Sequence, residues 1–244
     1  MNANLKVFPS KPELVKAVAE RMVQSIAKAV RETGSCSIAL AGGSTPRDVY
    51  ARLAEPAYQN RISWKIVHLF WGDERTVPPD HPDSNYRMAQ EALLNHIDIP
   101  PENVHRMSGE TTPDSAAAKY AEILHNHFSS SQPQFDLVLL GMGDDGHTTS
   151  LFPETTALDE IDKTVAAVFV PKFDTWRITL TLPVLNAAKE VVFLVSGSSK
   201  ARMIAHIAKL DQPVKSTPAS LIHPANGTLT WMLDADAAAL INES

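Results

Sequence analysis

The chain has 244 residues, 44% hydrophobic and 20% charged, with a formal net charge of -6. That suits one large α/β domain, expected over 1–244 with two allowed by length, and neither the acidic balance nor any Lys/Arg run suggests a basic nucleic-acid face. Cys36 is the only cysteine, which excludes an intrachain disulfide and a Cys-based metal site, and no apolar run approaches the roughly 20 residues that span a bilayer.

The start, MNANLKVFPSKPEL, has no apolar signal core, so a cytosolic protein without a membrane partner is expected. Ser10 and Glu13 then have the spacing of a capping box, with Pro12 in the first turn. Leu14, Val15, Val18, Met22 and Ile26 recur at helical spacing, and Gly34 ends the helix. SIALAGG reads as a buried strand, TPRDVYARLA as a helix and WKIVHLFWG as a second strand. A polar, proline-rich stretch over 72–83 reads as a long loop, and Ser84 caps the helix NYRMAQEALLNHI. A helix over 114–128 precedes the strand FDLVLLGMG. TVAAVFVP and RITLTLP are β-rich, EVVFLVSG is a strand leading into the helix SKARMIAHIAKL, and TLTWMLD and DADAAALI close the chain as strand and helix.

Apolar strands alternating with helices predict an α/β fold of three layers, a mostly parallel sheet with helices on both faces. Ligands of such sheets bind beyond the carboxyl ends of the strands. Four turns sit at predicted strand ends: AGGSTP, WGDER, GMGDDGHT and SGSSK.

Gly42 and Gly43 permit a tight turn and a close ligand approach, and Ser44, Thr45 and Pro46 suit a helix start whose free amides attract an anion. An ordinary capped turn looks the same. Lys200 falls in the first turn of another helix, where a cation opposes the dipole by roughly 0.3–1 kcal/mol, a penalty that a bound anion would offset. Arg47 is similarly early in its helix, but is expected to reach solvent. Arg177, at the start of RITLTLP, can grip a phosphate bidentately or simply be a strand-edge charge.

GMGDDGHTTSLFP holds two acids and a histidine among three glycines. His147 suits general-base work near neutral pH, and Asp145, two residues earlier, can orient its ring. Asp73, Glu74 and Arg75 in WGDER offer carboxylates and a guanidinium, or a local salt-bridge cluster. There is no HExxH spacing for a metal and no GxSxG elbow for a serine nucleophile.

AGGSTP, WGDER with VPPD and SNYRMA, LLGMGDDGHTTSLFP, RITLTLP and SGSSKA occur in an order and spacing that resemble the 6-phosphogluconolactonases, from about Ala39 to Lys200. The resemblance implies a Rossmann-like fold shared with glucosamine-6-phosphate deaminases, hydrolysis of a phosphorylated sugar lactone in the oxidative pentose phosphate pathway, and no required metal or organic cofactor. It implies a general base at His147 with Asp145 and Asp73 beside it. It further implies a phosphate loop at Gly42, Gly43, Ser44 and Thr45, and substrate-anion contacts from Arg75, Arg177 and Lys200. Thr149 departs from the alanine common there; it is expected to fit while crowding the turn. The related deaminases carry a glutamate where this chain has Phe152, and an apolar ring cannot transfer a proton. A sugar-phosphate deaminase or isomerase, and a non-catalytic phosphosugar-binding regulator, are the alternatives. The expected assembly is a monomer or small homo-oligomer.

Overall fold

In the computed structural model, which describes residues 4–130 and 132–241, the apolar runs form a seven-stranded, wholly parallel sheet. Its strands are β1 (Asn4–Phe8), β2 (Cys36–Leu40), β3 (Val67–Trp71), β5 (Val104–His105), β6 (Leu137–Leu140), β9 (Glu190–Val195) and β10 (Thr228–Asp234), in the order β1-β10-β9-β6-β2-β3-β5. β2, β6 and β9 are buried along their whole length, which is why they read as continuous apolar runs rather than as an alternation.

Successive side chains leave opposite faces of these strands. Ile38, Leu40, Leu69 and Trp71 face the layer of α1 (Lys11–Thr33), α2 (Ser44–Leu53) and α4 (Asn85–Ala92). Ala39, Phe70 and Val138 face α5 (Pro113–Phe128) and α7 (Ala201–Lys209). The strand order reverses between β2 and β6: β3 and β5 extend one way, β9 and β10 the other. That switch point is where a doubly wound sheet opens a crevice.

Three expectations change. The stretch 72–83 does not begin as a loop: β4 (Asp73–Arg75) pairs antiparallel with β8 (Thr175–Leu180), and β8 with β7 (Val165–Val170), making a separate small sheet. β1 is a strand that no apolar pattern announced, because four of its five residues are exposed. At Ser10 the hydroxyl donates to Glu13 Oε2 at 3.2 Å instead of accepting a helix amide, so the reciprocal capping box is not made. The Ser84 cap forms as expected, its hydroxyl accepting from the Arg87 amide at 3.1 Å.

Candidate active site

The carboxyl ends of β2, β3, β6 and β9 surround a cavity of about 600 Å³, whose lining includes Gly42, Gly43, Ser44, Thr45, Asp73, Arg75, His147, Arg177 and Lys200. A cavity of about 690 Å³ near the amino ends of β1 and β10 contains none of these turns. The sequence-derived site residues therefore gather around the first, and of them only Asp145 stands behind its wall rather than in it.

The turn after β6 is wired locally. The Gly143 amide donates to the His147 carbonyl at 2.8 Å, and Asp145 Oδ1 accepts from the His147 amide at 3.1 Å. His147 Nδ1 lies 2.5 Å from the same carboxylate oxygen. Gly143 is needed because a Cβ there would stand 2.0 Å from His147 Nδ1. The other Asp145 oxygen accepts from Lys172 Nζ at 2.8 Å. Burial alone would raise the Asp145 pKa, but the hydrogen bonds from His147 and Lys172 hold it well below the usual carboxylate range. An ionised carboxylate only accepts, so His147 Nδ1 carries the hydrogen, and Nε2 is the basic nitrogen of the neutral ring. Phe152 stacks on the imidazole at 3.9 Å and 23°, and Phe173 packs edge-on against Phe152. Phe152 thus gives the base an apolar face where the deaminase pattern has an acid.

Asp73 is buried but does not reach the imidazole. Its carboxylate accepts from Ser150 Oγ at 2.7 Å and from Asn85 Nδ2 at 3.3 Å, and its carbonyl accepts from Asn85 Nδ2 at 2.9 Å. Of the two acids, only Asp145 touches the imidazole. A Cβ on Gly42 would overlap the Asn85 amide at 2.0 Å, so the glycine turn and Asn85 are shaped to each other. Among the described residues Glu74 joins no salt-bridge cluster: its carboxylate takes the amides of Arg75, Asn85 and Tyr86 and the Ser84 hydroxyl, all at 2.7–3.0 Å, and so holds the start of α4. Burial raises its pKa despite those bonds.

At the glycine turn, Gly43 is the N-cap of α2 and Ser44 and Thr45 are its first residues, so neither side chain caps it. Thr45 Oγ1 instead meets Ser196 Oγ at 2.7 Å, tying this turn to the one after β9. Asp234 steadies that second turn by accepting the Gly197 amide at 3.0 Å, and Lys200 precedes α7 in the 3-10 turn Ser198–Lys200. Arg47 is exposed beside Asp48 at 3.3 Å, as expected of a solvent-facing charge.

Arg75 and Arg177 sit directly opposite each other in the β4–β8 register. Like charges in that relation repel. Both Nε atoms are buried without a hydrogen-bond partner among the described residues, while Arg75 Nη1 donates to the Asp83 carbonyl. Burial, and then the Arg75 charge, lower the Arg177 pKa. Each unsatisfied buried polar group costs about 1–3 kcal/mol. Two half-buried guanidiniums side by side in a pocket wall, each with a buried Nε, are suited to an anion.

Thr149 has φ 49°, a left-handed conformation that is an outlier for a β-branched residue. Its hydroxyl donates to the Thr148 carbonyl at 2.6 Å and accepts from Thr179 Oγ1 at 3.1 Å, so the larger side chain fits by joining the polar network. Asn85, Ser150 and Lys172 were not singled out from the sequence. Asn85 and Ser150 lie inside matched motifs, but nothing in their spacing signals a bond to Asp73.

The sequence profile described as glucosamine-6-phosphate isomerases/6-phosphogluconolactonase matches residues 9–231. The 6-phosphogluconolactonase of Nostoc sp. is 40% identical over 243 residues, covering 98% of both chains. The solved 6-phosphogluconolactonase of Trypanosoma brucei superposes with a TM-score of 0.84 at 31% identity, covering 98% of both chains. A monomeric glucosamine-6-phosphate deaminase shares the fold at TM-score 0.81 and 21% identity, covering 97% of this chain and 99% of that one.

Proposed function

The chain belongs to the glucosamine-6-phosphate isomerase/6-phosphogluconolactonase family, and from that premise we propose that it hydrolyses 6-phospho-D-glucono-1,5-lactone to 6-phospho-D-gluconate. The observation that carries this reading is the pairing, in one pocket, of an Asp145-oriented imidazole with the half-buried cations Arg75 and Arg177.

The substrate phosphate is held by the amides of Gly43, Ser44 and Thr45 with Arg177 and Lys200, and Arg75 stands beside Arg177. Binding at that end orients the distant C1 carbonyl. His147 Nε2 takes a proton from water, whose oxygen bonds to C1. Backbone amides or a nearby cation stabilise the tetrahedral oxyanion. The C1–ring-oxygen bond then breaks, and the ring oxygen leaves with the proton from His147. Asp145 stabilises the imidazolium between the two transfers, and Asp73 holds the floor of the site through Ser150 and Asn85. A lactone is an activated ester, so no covalent nucleophile is required.

The reaction is placed in the cytoplasm, within the oxidative pentose phosphate pathway, without nucleic acid or membrane as partner and with a monomer or small homo-oligomer as the working unit. No helix among the described residues is long and apolar enough to cross a membrane. The test is proton release from freshly prepared phosphogluconolactone: a rate proportional to enzyme above spontaneous hydrolysis is expected, and an unchanged spontaneous rate refutes the assignment.

A further inference from the structure

Three histidines that the lactone chemistry does not use meet at the other end of the main sheet. The pocket follows the last residues of β2 and β3, whereas Ser37 and His68 are the second residues of those strands. His105 closes the edge strand β5, and His127 lies in the last turn of α5. One ring nitrogen from each of the three falls within 4.8 Å of the others. His68 Nδ1 is 3.2 Å from His105 Nε2, and His127 Nε2 is 2.8 Å from Ser37 Oγ. All three side chains are half-buried and within reach of solvent.

Burial, reinforced by the neighbouring rings, pushes the His105 pKa down to about 4. Burial also lowers the pKa of His68 and His127. An uncharged imidazole has one ring nitrogen without a hydrogen, so each of the three rings can offer a lone pair. Aromatic packing explains part of the arrangement: Phe70 stacks on His105 at 4.3 Å and touches His127 at 4.9 Å. Packing alone would be served as well by carbon rings. Three half-buried imidazoles with ring nitrogens within 4.8 Å of one another form a donor set suited to a zinc-like ion, with water in the fourth position. Asp136 accepts the Ser37 amide at 2.8 Å and Lys189 Nζ at 2.8 Å, which fixes Ser37 beside His127.

We propose that His68, His105 and His127 bind one divalent first-row transition ion, Zn²⁺ in preference to an oxygen-seeking ion such as Mg²⁺, and that the ion clamps the two-residue edge strand β5 and the end of α5 to β3. The site is separate from the lactone pocket and is not required for turnover.

The test titrates metal-stripped protein with Zn²⁺ by calorimetry, and with Co²⁺ by visible absorption. One equivalent per chain is expected for the wild type and for His147→Ala, with Co²⁺ bands of a four-coordinate nitrogen site. His105→Gln and His127→Gln should each weaken binding about tenfold or more while retaining lactonase turnover, which shows that they fold. Zn²⁺ should raise the melting temperature of the wild type and not of His105→Gln. Unchanged affinity in both glutamine variants, or loss of the equivalent in His147→Ala alone, would overturn the assignment. So would the absence of a stoichiometric equivalent in the wild type.

Discussion

The two arms of the pocket are built in opposite ways. The imidazole arm is local and saturated: Gly143, Asp145 and His147 lie within five positions of one another, and His147 Nδ1 and both Asp145 oxygens are engaged. The cationic arm is assembled from residues remote in sequence and leaves buried donors unpaired. The difference teaches how the labour is divided. A base must be held in one orientation and tautomer before substrate arrives, so its partners are permanent. An anion site must keep its donors available, so its strain is relieved only on binding.

The sharpest way to break this contrast is to remove the base. His147→Ala is expected to lower kcat by about 10²–10⁴-fold with little change in KM, measured by proton release. A near-wild-type kcat removes His147 from the chemistry. Next, Gly143→Ala inserts a Cβ into the space of His147 Nδ1 and should lower kcat by about 10²-fold through misplacement of the ring, with binding retained. On the other arm, Arg177→Met should raise KM for the phosphorylated lactone by about 10–100-fold, the worth of a charge-assisted contact. It should not lower the melting temperature, because it removes a half-buried charge that Arg75 repels. Lys200→Ala should act in the same direction with a smaller change.

The smallest effect concerns pH. The folded-state pKa of His105 is depressed from 6.5 to about 4, so between those values the unfolded chain binds more protons and stability rises with pH. In metal-free protein, melting temperature should therefore increase from pH 4 towards 6.5, and His105→Gln should flatten that rise. An identical slope in the variant contradicts the depressed titration.

Much of the fold was readable, because β2, β6 and β9 are continuous apolar runs, and the glycine turns that end β2 and β6 build the proposed phosphate loop and the imidazole arm respectively. β1 was not, because an exposed strand such as Asn4–Phe8 leaves no apolar signature. The opposition of Arg75 and Arg177 was equally hidden: it depends on β4 leaving the main sheet to pair with β8, and no local pattern encodes that register. The identity of the orienting acid needed coordinates as well, since Asp73 and Asp145 both line up with the motif and only one carboxylate touches the ring. The three-histidine cluster joins positions with no metal-binding spacing, such as His68 and His105, 37 residues apart.

The most direct test of the divided pocket compares kcat/KM for phosphorylated and unphosphorylated gluconolactone in the wild type, His147→Ala and Arg177→Met. Loss of the base should depress both substrates equally and leave their ratio unchanged, whereas loss of the guanidinium should shrink the preference for the phosphorylated substrate about tenfold or more. An intact preference in Arg177→Met, or a selective loss of the phosphorylated substrate in His147→Ala, would contradict it.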